Sequence, residues 1–214
     1  FAVESLRRAK QANEDASFAF EIAAVEVATR KGTEAISKDE GPYKAMPEKI
    51  PSLRPAFKKD GTITAANASS INDGAAAVVL MRASEAAKRG LKPLAKIVAH
   101  ASHARLPAEF TVAPVEAIAK VLSKAGWAKE DVDLWEINEA FAVVTMAAMH
   151  EHGLDHAKVN VHGGACALGH PIGASGARIV ATLLGAMKNH SAKKGVASLC
   201  IGGGEAVAMA IEVI

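Results

Sequence analysis

The sequence predicts an α/β fold in which a mixed sheet is covered by helices on both faces. From Leu94 onward, short apolar runs alternate with helical patterns in the order βαβαβαββ. Strands that are separated by helices pair through parallel crossovers, whereas the last two runs are close enough to form an antiparallel hairpin. Ligands of open α/β sheets bind beyond the carboxyl ends of the strands, so function is expected at that edge.

The amino-terminal part of the chain is predicted to be helical and then irregular. Apolar residues recur at helical spacing from Phe1 to about Thr29. Between Lys31 and Gly61 the composition changes to Gly, Pro and charged residues, which is typical of loops. A loop of this length is uncommon in a compact domain, and we expect it to fold over a ligand.

The remaining elements follow from apolar runs and helical patterns. A continuous apolar run at 74–81 predicts a strand, and the helical pattern after it ends at Gly90. Further strands are predicted at 95–101, 133–138, 158–163, 195–202 and 206–214, and helices at 114–126, 139–153 and 171–189.

Composition narrows the class of protein. Half of the 214 residues are apolar, which suffices for one large domain or two small ones. The net charge of +2 arises from 25 basic and 23 acidic residues spread along the chain, so neither nucleic acid nor membrane is an expected partner. Two cysteines make no disulfide framework or zinc knuckle. Because the sequence has neither an apolar span long enough for a membrane nor a signal-peptide core, we expect a soluble cytoplasmic protein. The helical pattern is already under way at Phe1, which predicts that the chain starts inside a longer protein.

Three residues with reactive or polar side chains lie at predicted strand ends. Asn138 follows the apolar run LWEI, where a helix N-cap is the alternative. His170 precedes a glycine-rich helix start; its imidazole, with an ordinary pKa of about 6.5, can accept a proton from a thiol, although a structural histidine also fits. Cys200 precedes three glycines whose amides can stabilise an oxyanion, and the alternative is a buried small apolar residue.

Three other catalytic motifs are incomplete in this sequence. The run His150–Glu151–His152 lacks the second histidine of a zinc-binding HExxH. The glycines at 202–204 have no following helix of a dinucleotide fingerprint. The segment 173–177 misses the GxSxG elbow of hydrolases by one position, which predicts that Ser175 serves helix packing.

Three blocks of the sequence resemble the C-terminal signature blocks of the thiolase family. They are NEAFA at 138–142, GGACALGHPIGASGAR at 163–178 and CIGGG at 200–204. The resemblance extends through NASSINDGAAA at 67–77 to FAVESLRRA at 1–9, and so covers essentially the whole chain. It implies a thiolase-like fold and a reversible Claisen condensation, in which one acyl group is held on an enzyme cysteine while a second acyl-CoA loses its α proton.

The resemblance also implies a division of roles. His170 corresponds to the histidine that activates the nucleophilic cysteine and binds the thioester oxygen, and Cys200 to the cysteine that exchanges the α proton. Asn138 corresponds to the residue that holds a catalytic water, and Gly202 to the glycine whose amide contributes to the second oxyanion hole. A thiolate nucleophile and a second thiol that acts as acid and base suit this reaction.

Coenzyme A contacts and a cation site are implied in the same way. Ser69 corresponds to the serine near the pantetheine arm, Ala68 and Phe110 are expected beside the substrate, and the loop at 31–61 resembles the cover over coenzyme A. Phe110 and Tyr43 resemble the acetoacetyl-CoA type, in which potassium supports the CoA loop. The implied potassium ligands are oxygen atoms of Tyr43, Ala65, Ala66, Ala68 and Cys166. No tightly bound cofactor is expected.

The family's nucleophile lies in its N-terminal half, and neither Cys166 nor Cys200 occupies that position. Cys166 and Glu205 depart from the residues expected at their places, though backbone roles would survive such changes. We therefore expect that half to come from a second chain, a cleaved piece or a further segment. The whole is expected to be a homo-oligomer, a dimer or a tetramer, that condenses two acetyl-CoA molecules or catalyses the reverse thiolysis. A non-catalytic CoA-binding or scaffold relative is the alternative.

The predicted domain division has three parts. Residues 1–70 are expected to form part of a loop domain that covers coenzyme A, and 71–93 the final strand and helix of the N-terminal domain. Residues 94–214 are expected to form the C-terminal domain.

Overall fold

The computed structural model describes all 214 residues. The strands are β1 (Val25–Thr29), β2 (Gly32–Ile36), β3 (Ala95–Ala104), β4 (Leu134–Ile137), β5 (Lys194–Cys200) and β6 (Glu205–Val213). The α-helices are α1 (Ala2–Glu14), α2 (Gly41–Lys44), α3 (Ala83–Lys88), α4 (Ala113–Ala125), α5 (Ala142–His152), α6 (Ala165–Leu168) and α7 (Ser175–Asn189). Short 3₁₀ helices span Ser17–Phe20, Pro47–Ser52, Pro107–Glu109, Lys129–Asp131 and His156–Lys158.

A four-stranded mixed sheet forms the centre of the C-terminal part, with strand order β3-β6-β5-β4. β6 pairs antiparallel with both β3 and β5, and β4 pairs parallel with β5. The predicted mixed sheet and its closing hairpin are thus confirmed. Because β4 and β5 run in the same direction, their carboxyl ends meet at one edge of the sheet.

Helices cover both faces of this sheet, as predicted. Trp135 and Val196 face one core together with apolar side chains of α4 and α5, including Ile118 and Ala148. The neighbouring strand residues point the other way, and Leu134 contributes to a second core that is built on α7. The two cores follow from the alternation of side chains along each strand.

The predicted strand at 158–163 is wrong. Val159 makes only a single bridge to Trp135, and Asn160 adopts a left-handed φ of 48°. The Asn160 side-chain amide donates to the carbonyl of Ile137 at 2.8 Å and accepts from its N–H at 2.7 Å. A side chain therefore satisfies the edge of β4 where a neighbouring strand was expected, and the observed order lacks the third predicted strand.

The predicted strand at 74–81 is also wrong, because the run has no pairing partner in the structure. Val79 is 85% exposed and Leu80 69%. The helix predicted after it does form as α3, and Gly90 follows it with a left-handed φ of 64°. An apolar run predicts a strand only where another strand can complete its hydrogen bonds.

The amino-terminal segment is less helical than predicted. The helical pattern ends with α1 at Glu14, and β1 and β2 form an antiparallel hairpin in which Val25 pairs with Ile36. Both strands of the hairpin are exposed along their whole length. The long loop expected at 31–61 is thus interrupted by β2, by α2 and by a 3₁₀ helix.

None of the helices combines the length and the apolar character that a bilayer crossing would require. The division into 1–70, 71–93 and 94–214 stays a prediction.

Candidate active site

Two of the predicted site residues lie at the shared edge of β4 and β5. The backbone N–H of Asn138 donates to the carbonyl of Ser198 at 2.9 Å, which continues the parallel ladder by one residue. Cys200 ends β5 two residues further on. Both side chains are buried. The sheet therefore fixes both residues from backbone geometry alone.

Asn138 is not a helix N-cap. The first residue of α5 is Ala142, its N-cap is Phe141, and no side chain caps it. The intervening residues pair instead with another segment: Ser69 donates to the carbonyl of Ala140 through both its N–H, at 3.0 Å, and its hydroxyl, at 2.9 Å. The Asn138 side chain is thereby left to face the site.

His170 is held beside the same segment. Its N–H donates to the carbonyl of Ser70 at 2.9 Å. The helix expected from Pro171 begins only at Ser175, because residues 171–174 form a turn that is closed by the N–H groups of Ala174 and Ser175 donating to the Pro171 carbonyl. His170 thus lies on a fixed turn just before α7.

The ring contacts of His170 define its tautomer. Nδ1 lies 2.5 Å from the Ser175 hydroxyl, which itself donates to the carbonyl of Pro171 at 3.0 Å. Since the single hydroxyl hydrogen is used on Pro171, Nδ1 must donate to Ser175. Nε2 is then unprotonated, and it faces the Asn138 Nδ2 at 3.4 Å. The assignment rests on hydrogen-bond partners, as tautomers generally do.

Burial lowers the pKa of His170 below its ordinary value, and the positive charge of Arg178 lowers it further. The imidazole is therefore neutral at pH 7. A neutral ring with an unprotonated Nε2 can accept a proton from a thiol.

Arg178 is a site residue that sequence reasoning missed. Its guanidinium donates to Glu136 at 3.0 Å and to the side-chain oxygen of Asn138 at 3.3 Å. Ser175, for which helix packing was predicted, is buried in α7, and its hydroxyl also contacts Nδ1 of His170 at 2.5 Å. The spacing of these residues in the sequence indicates which of them share a face. Glu136 and Asn138 are two residues apart along a strand, and Ser175 and Arg178 are three residues apart on a helix, so each pair lies on one face.

Cys200 leads into an open glycine turn. Two backbone hydrogen bonds hold the turn. The Ile201 N–H donates to the Glu205 carbonyl at 2.7 Å, and the Gly204 N–H donates to the Ile201 carbonyl at 3.0 Å. The amides of Gly202 and Gly203 donate to no acceptor in the chain. A Cβ placed on Gly202 would meet no atom within 4 Å. These two amides are free to bind an oxyanion.

Burial raises the pKa of the Cys200 thiol to about 11. At neutral pH it is therefore protonated. A buried thiol of this kind fits an acid in one step and, once ionised, a strong base in the next.

A buried carboxylate, Glu139, braces the loops around the site. It accepts from the Ser5 hydroxyl at 2.7 Å, from the Asn160 amide at 2.9 Å and from the Cys166 N–H at 3.1 Å. Burial and the charge of Glu139 raise the pKa of the Cys166 thiol. Cys166 is thus an unreactive residue whose backbone matters more than its sulfur.

The residues expected near coenzyme A surround Phe141. Ala68 forms an antiparallel bridge with Phe141, beside the Ser69 contacts described above. The rings of Phe110 and Phe57 both pack edge-on against Phe141, at centroid distances of 6.1 and 6.2 Å. The structure therefore brings the three predicted substrate residues to one apolar wall.

The implied potassium ligands have unused oxygen atoms. The four carbonyls accept no hydrogen bond from the chain; they belong to Ala65, Ala66, Ala68 and Cys166. The helix that carries Tyr43, α2, packs against α6, which carries Cys166, and a Cβ on Gly41 would lie 2.3 Å from the carbonyl of Ala167. Such oxygen donors suit a hard cation. No cluster of three His, Cys, Asp or Glu side chains suggests another metal.

Two family models match the chain. Residues 91–213 match the model described as "Thiolase, C-terminal domain", and residues 1–84 match "Thiolase, N-terminal domain". The N-terminal model thus matches more of this chain than the final strand and helix that were expected at 71–93, so the expectation that the N-terminal half comes from a second chain or a further segment is corrected for residues 1–84.

Curated relatives are acetyl-CoA acetyltransferases. Those of Escherichia coli and Chromobacterium violaceum are both 52% identical to this chain, cover 99% of it, and are themselves covered over 54% and 55% of their length. That of Yarrowia lipolytica is 50% identical over 99% of this chain and 53% of its own length. The chain thus spans about half the length of the curated relatives it matches.

Solved structures agree in fold. An acetyl-CoA acetyltransferase of Bacillus anthracis superposes with a TM-score of 0.95 at 44% identity, and human mitochondrial 3-ketoacyl-CoA thiolase with a TM-score of 0.90 at 38% identity. Each comparison covers 100% of this chain and 54% of the other. With the family models, the relatives and the fold in agreement, this chain belongs to the thiolase family.

Proposed function

We propose that this chain is part of an acyl-CoA C-acyltransferase that condenses two acetyl-CoA molecules to acetoacetyl-CoA and catalyses the reverse thiolysis. The observation that carries the proposal is that Asn138 and Cys200 lie at the carboxyl ends of the paired strands β4 and β5, where Asn138 also contacts His170 at 3.4 Å and where the free amides of Gly202 and Gly203 follow Cys200. The similarity to acetyl-CoA acetyltransferases at about half identity supports it.

In the first half-reaction, the neutral His170 accepts the proton of a cysteine thiol through Nε2. That thiolate attacks the thioester carbonyl of acetyl-CoA, the acetyl group moves to the cysteine, and coenzyme A leaves with the proton. The nucleophile is neither Cys166, whose thiol is inert, nor Cys200, so we infer that it lies outside residues 1–214. We call this chain together with the segment that carries that cysteine the complete enzyme.

In the second half-reaction, Cys200 first releases its thiol proton to solvent, and the resulting thiolate removes the α proton of a second acetyl-CoA. The enolate oxygen is stabilised by His170 and by the water that Asn138 is expected to hold. The α carbon then attacks the acetyl group, and the Gly202 amide stabilises the oxyanion that forms. The nucleophilic cysteine leaves as a thiolate and takes the proton from Cys200. The Cys200 thiolate then regains a proton from solvent, which restores the starting state.

The test is mass spectrometry of the complete enzyme after it is mixed with acetyl-CoA, combined with an assay of acetoacetyl-CoA formation. The native enzyme should carry an acetyl group on one cysteine and form product. Cys200→Ser should still be acetylated while its condensation rate falls by about 100-fold or more. Equal loss of both steps would contradict the role of Cys200.

A CoA-binding or scaffold relative remains the second candidate, because the chain alone contains no residue that we assign as nucleophile. It predicts that acetyl-CoA binds to the assembled protein without acetylating any cysteine. The same mass spectra therefore separate the two functions.

We further propose that potassium supports the CoA-binding loops, held by the four unused carbonyls and Tyr43. The cation would supply positive charge and rigidity to the segment 65–68, and it takes no part in the bond changes. Replacing potassium with sodium should raise the KM for acetyl-CoA and leave acetylation chemistry possible. Activity that is indifferent to the two ions would reject this site.

A further inference from the structure

We propose that Arg178 is a positioning residue, which sets the direction of the hydrogen bonds that run through Asn138 and His170 and so keeps Nε2 of His170 unprotonated and able to accept a proton. The proposal deepens the function proposed above and rests on it for the identity of the reaction. The arrangement itself is independent of that identity, which allows the two to be tested apart.

The orientation of the Asn138 amide follows from Arg178. A guanidinium has only N–H donors, and one of them lies 3.3 Å from Oδ1 of Asn138. The oxygen of the amide must therefore face Arg178, which turns the NH₂ group towards Nε2 of His170 at 3.4 Å. A rotated amide would place donors against donors on the arginine side.

The same direction continues through the imidazole. With an N–H donor aimed at Nε2, the ring carries its proton on Nδ1, which is the atom that contacts the Ser175 hydroxyl at 2.5 Å. Ser175 passes the direction on by donating to the carbonyl of Pro171 at 3.0 Å. Every hydrogen bond from Arg178 to Pro171 therefore points the same way, and a reversal at one end would have to reverse them all.

Arg178 is itself held by buried acids. Its side chain is 17% exposed and contacts Glu136, which is 2% exposed, at 3.0 Å. It also lies 3.5 Å from the Thr182 hydroxyl, which donates to Glu21 at 2.7 Å. Glu21, Asp39 and Glu136 each have a pKa that burial raises and that the charge of Arg178 lowers. The charge of Arg178 thus acts on three acidic side chains, and its guanidinium also donates to the Asn138 amide oxygen.

The charged groups around Arg178 allow the proposal to predict whether His170 becomes easier or harder to protonate in each variant. Arg178 is the only charged group that perturbs His170, whereas Arg178 is itself opposed by Glu21, Asp39 and Glu136. Removing the cation should make His170 easier to protonate. Burial raises the pKa of Glu136 to about 8, so this carboxyl is uncharged where His170 titrates, and Glu136→Gln should leave the protonation of His170 unchanged. A residue that serves folding alone predicts no such difference between the two variants.

The experiment measures the pH dependence of His170 modification by diethyl pyrocarbonate in the complete enzyme, read by mass spectrometry of the peptide. This reagent attacks the unprotonated imidazole, so the midpoint reports the protonation of His170 without any catalytic turnover. The variants are Arg178→Gln, Arg178→Lys and Glu136→Gln. Arg8→Gln is the matched control, because Arg8 is 12% exposed and donates to the Val159 carbonyl at 2.7 Å, away from His170.

We expect the midpoint to rise by about 0.5 to 1 pH unit in Arg178→Gln and not to rise in Glu136→Gln. Arg178→Lys keeps the charge and should restore the native midpoint, and Arg8→Gln should not move it. An unchanged midpoint in a folded Arg178→Gln protein, or the same rise in Arg8→Gln, would overturn the proposal. If Arg178→Gln does not fold, a rise in Glu136→Gln overturns it instead.

A second readout separates this inference from the proposed function. The acid limb of kcat/KM for acetylation by acetyl-CoA should shift with the modification midpoint, since both report the free enzyme. Midpoints that move as expected in a protein that acetyl-CoA never labels would reject the proposed function and support the role of Arg178. Normal acetylation with unmoved midpoints would do the reverse.

Discussion

Residues 94–214 and residues 15–93 differ sharply in how much apolar surface they bury. The two larger cores draw all their fully buried side chains from the first region, on both faces of the four-stranded sheet. In the second region only Phe18, Pro42 and Ala86 are buried. The first region therefore has the means to hold its own shape, whereas the second depends on what it contacts.

The difference explains where the site lies. Asn138, His170 and Cys200 all belong to the region with its own cores, where strand ends and a closed turn fix their positions. The segment that is expected to contact coenzyme A, at 65–70, is held by hydrogen bonds to that region, through Ser69 to Ala140 and through Ser70 to His170. The reacting groups are thus built on a packed frame, and the ligand-contacting loops are tied to its edge.

A large effect should come from truncating one apolar side chain in each region of the 214-residue chain. Ile137→Ala empties a fully buried position and should lower the free energy of unfolding by about 3 kcal/mol. Val79→Ala, at a position that is 85% exposed, should change it by less than about 0.5 kcal/mol. Urea unfolding measures both. Similar losses would mean that the two regions share one core.

A second effect concerns pH and the buried acids below the site. Burial raises the pKa of Glu21 to about 7 and that of Glu136 to about 8. A raised carboxyl pKa stabilises the fold fully below the unfolded value of 4.5, and this stability is lost as the pH rises through the folded values.

We therefore expect the free energy of unfolding to fall by several kcal/mol between pH 4.5 and pH 8, at about 1.4 kcal/mol for each unit by which a pKa is raised. Glu136→Gln cannot ionise, and in this variant the fall should be about half as large. Urea titrations at several pH values provide the measurement. Stability that increases over this range would show that Arg178 dominates and holds both carboxyls ionised.

The smallest effect is a difference in stability between alanine substitutions at Gly202 and at Gly204, both in the turn after Cys200. Gly204 has a left-handed φ of 103°, and a Cβ there would lie 2.4 Å from the carbonyl of Arg105. Gly204→Ala should cost about 1 to 2 kcal/mol. Gly202→Ala meets open space and should leave stability within about 0.5 kcal/mol, while it crowds the oxyanion and slows condensation. Equal stability losses would show that the turn is not built as described.

Much of the packed region was predictable because its helices and strands carry their own periodic patterns. The predicted strands that do not form are those whose pairing depends on a neighbouring segment. Asn160 closes the edge of β4 with a side chain, which no strand pattern reveals, and the run at 74–81 has no neighbour to pair with. The alternation in VEVAT is typical of a strand, but helical spacing also fits that segment, and GTEAI lies in the stretch whose composition predicts a loop.

The site was predictable in part for the same reason. Asn138, His170 and Cys200 each admitted an ordinary structural role, and only their joint resemblance to thiolase blocks selected the catalytic one. Arg178 and Ser175 could not be assigned from the sequence, because their roles depend on how α7 lies against β4. Spacing gives the face of an element, whereas packing decides what that face meets.

The measurement that most directly tests the central claim is the exchange of acetyl-CoA α protons with D₂O, catalysed by the complete enzyme. The site described here predicts that the native enzyme catalyses exchange, and that Cys200→Ser loses about 100-fold or more of it while acetylation of the nucleophile continues. Undiminished exchange in Cys200→Ser would contradict the claim that the edge of β4 and β5 carries the proton-transfer chemistry.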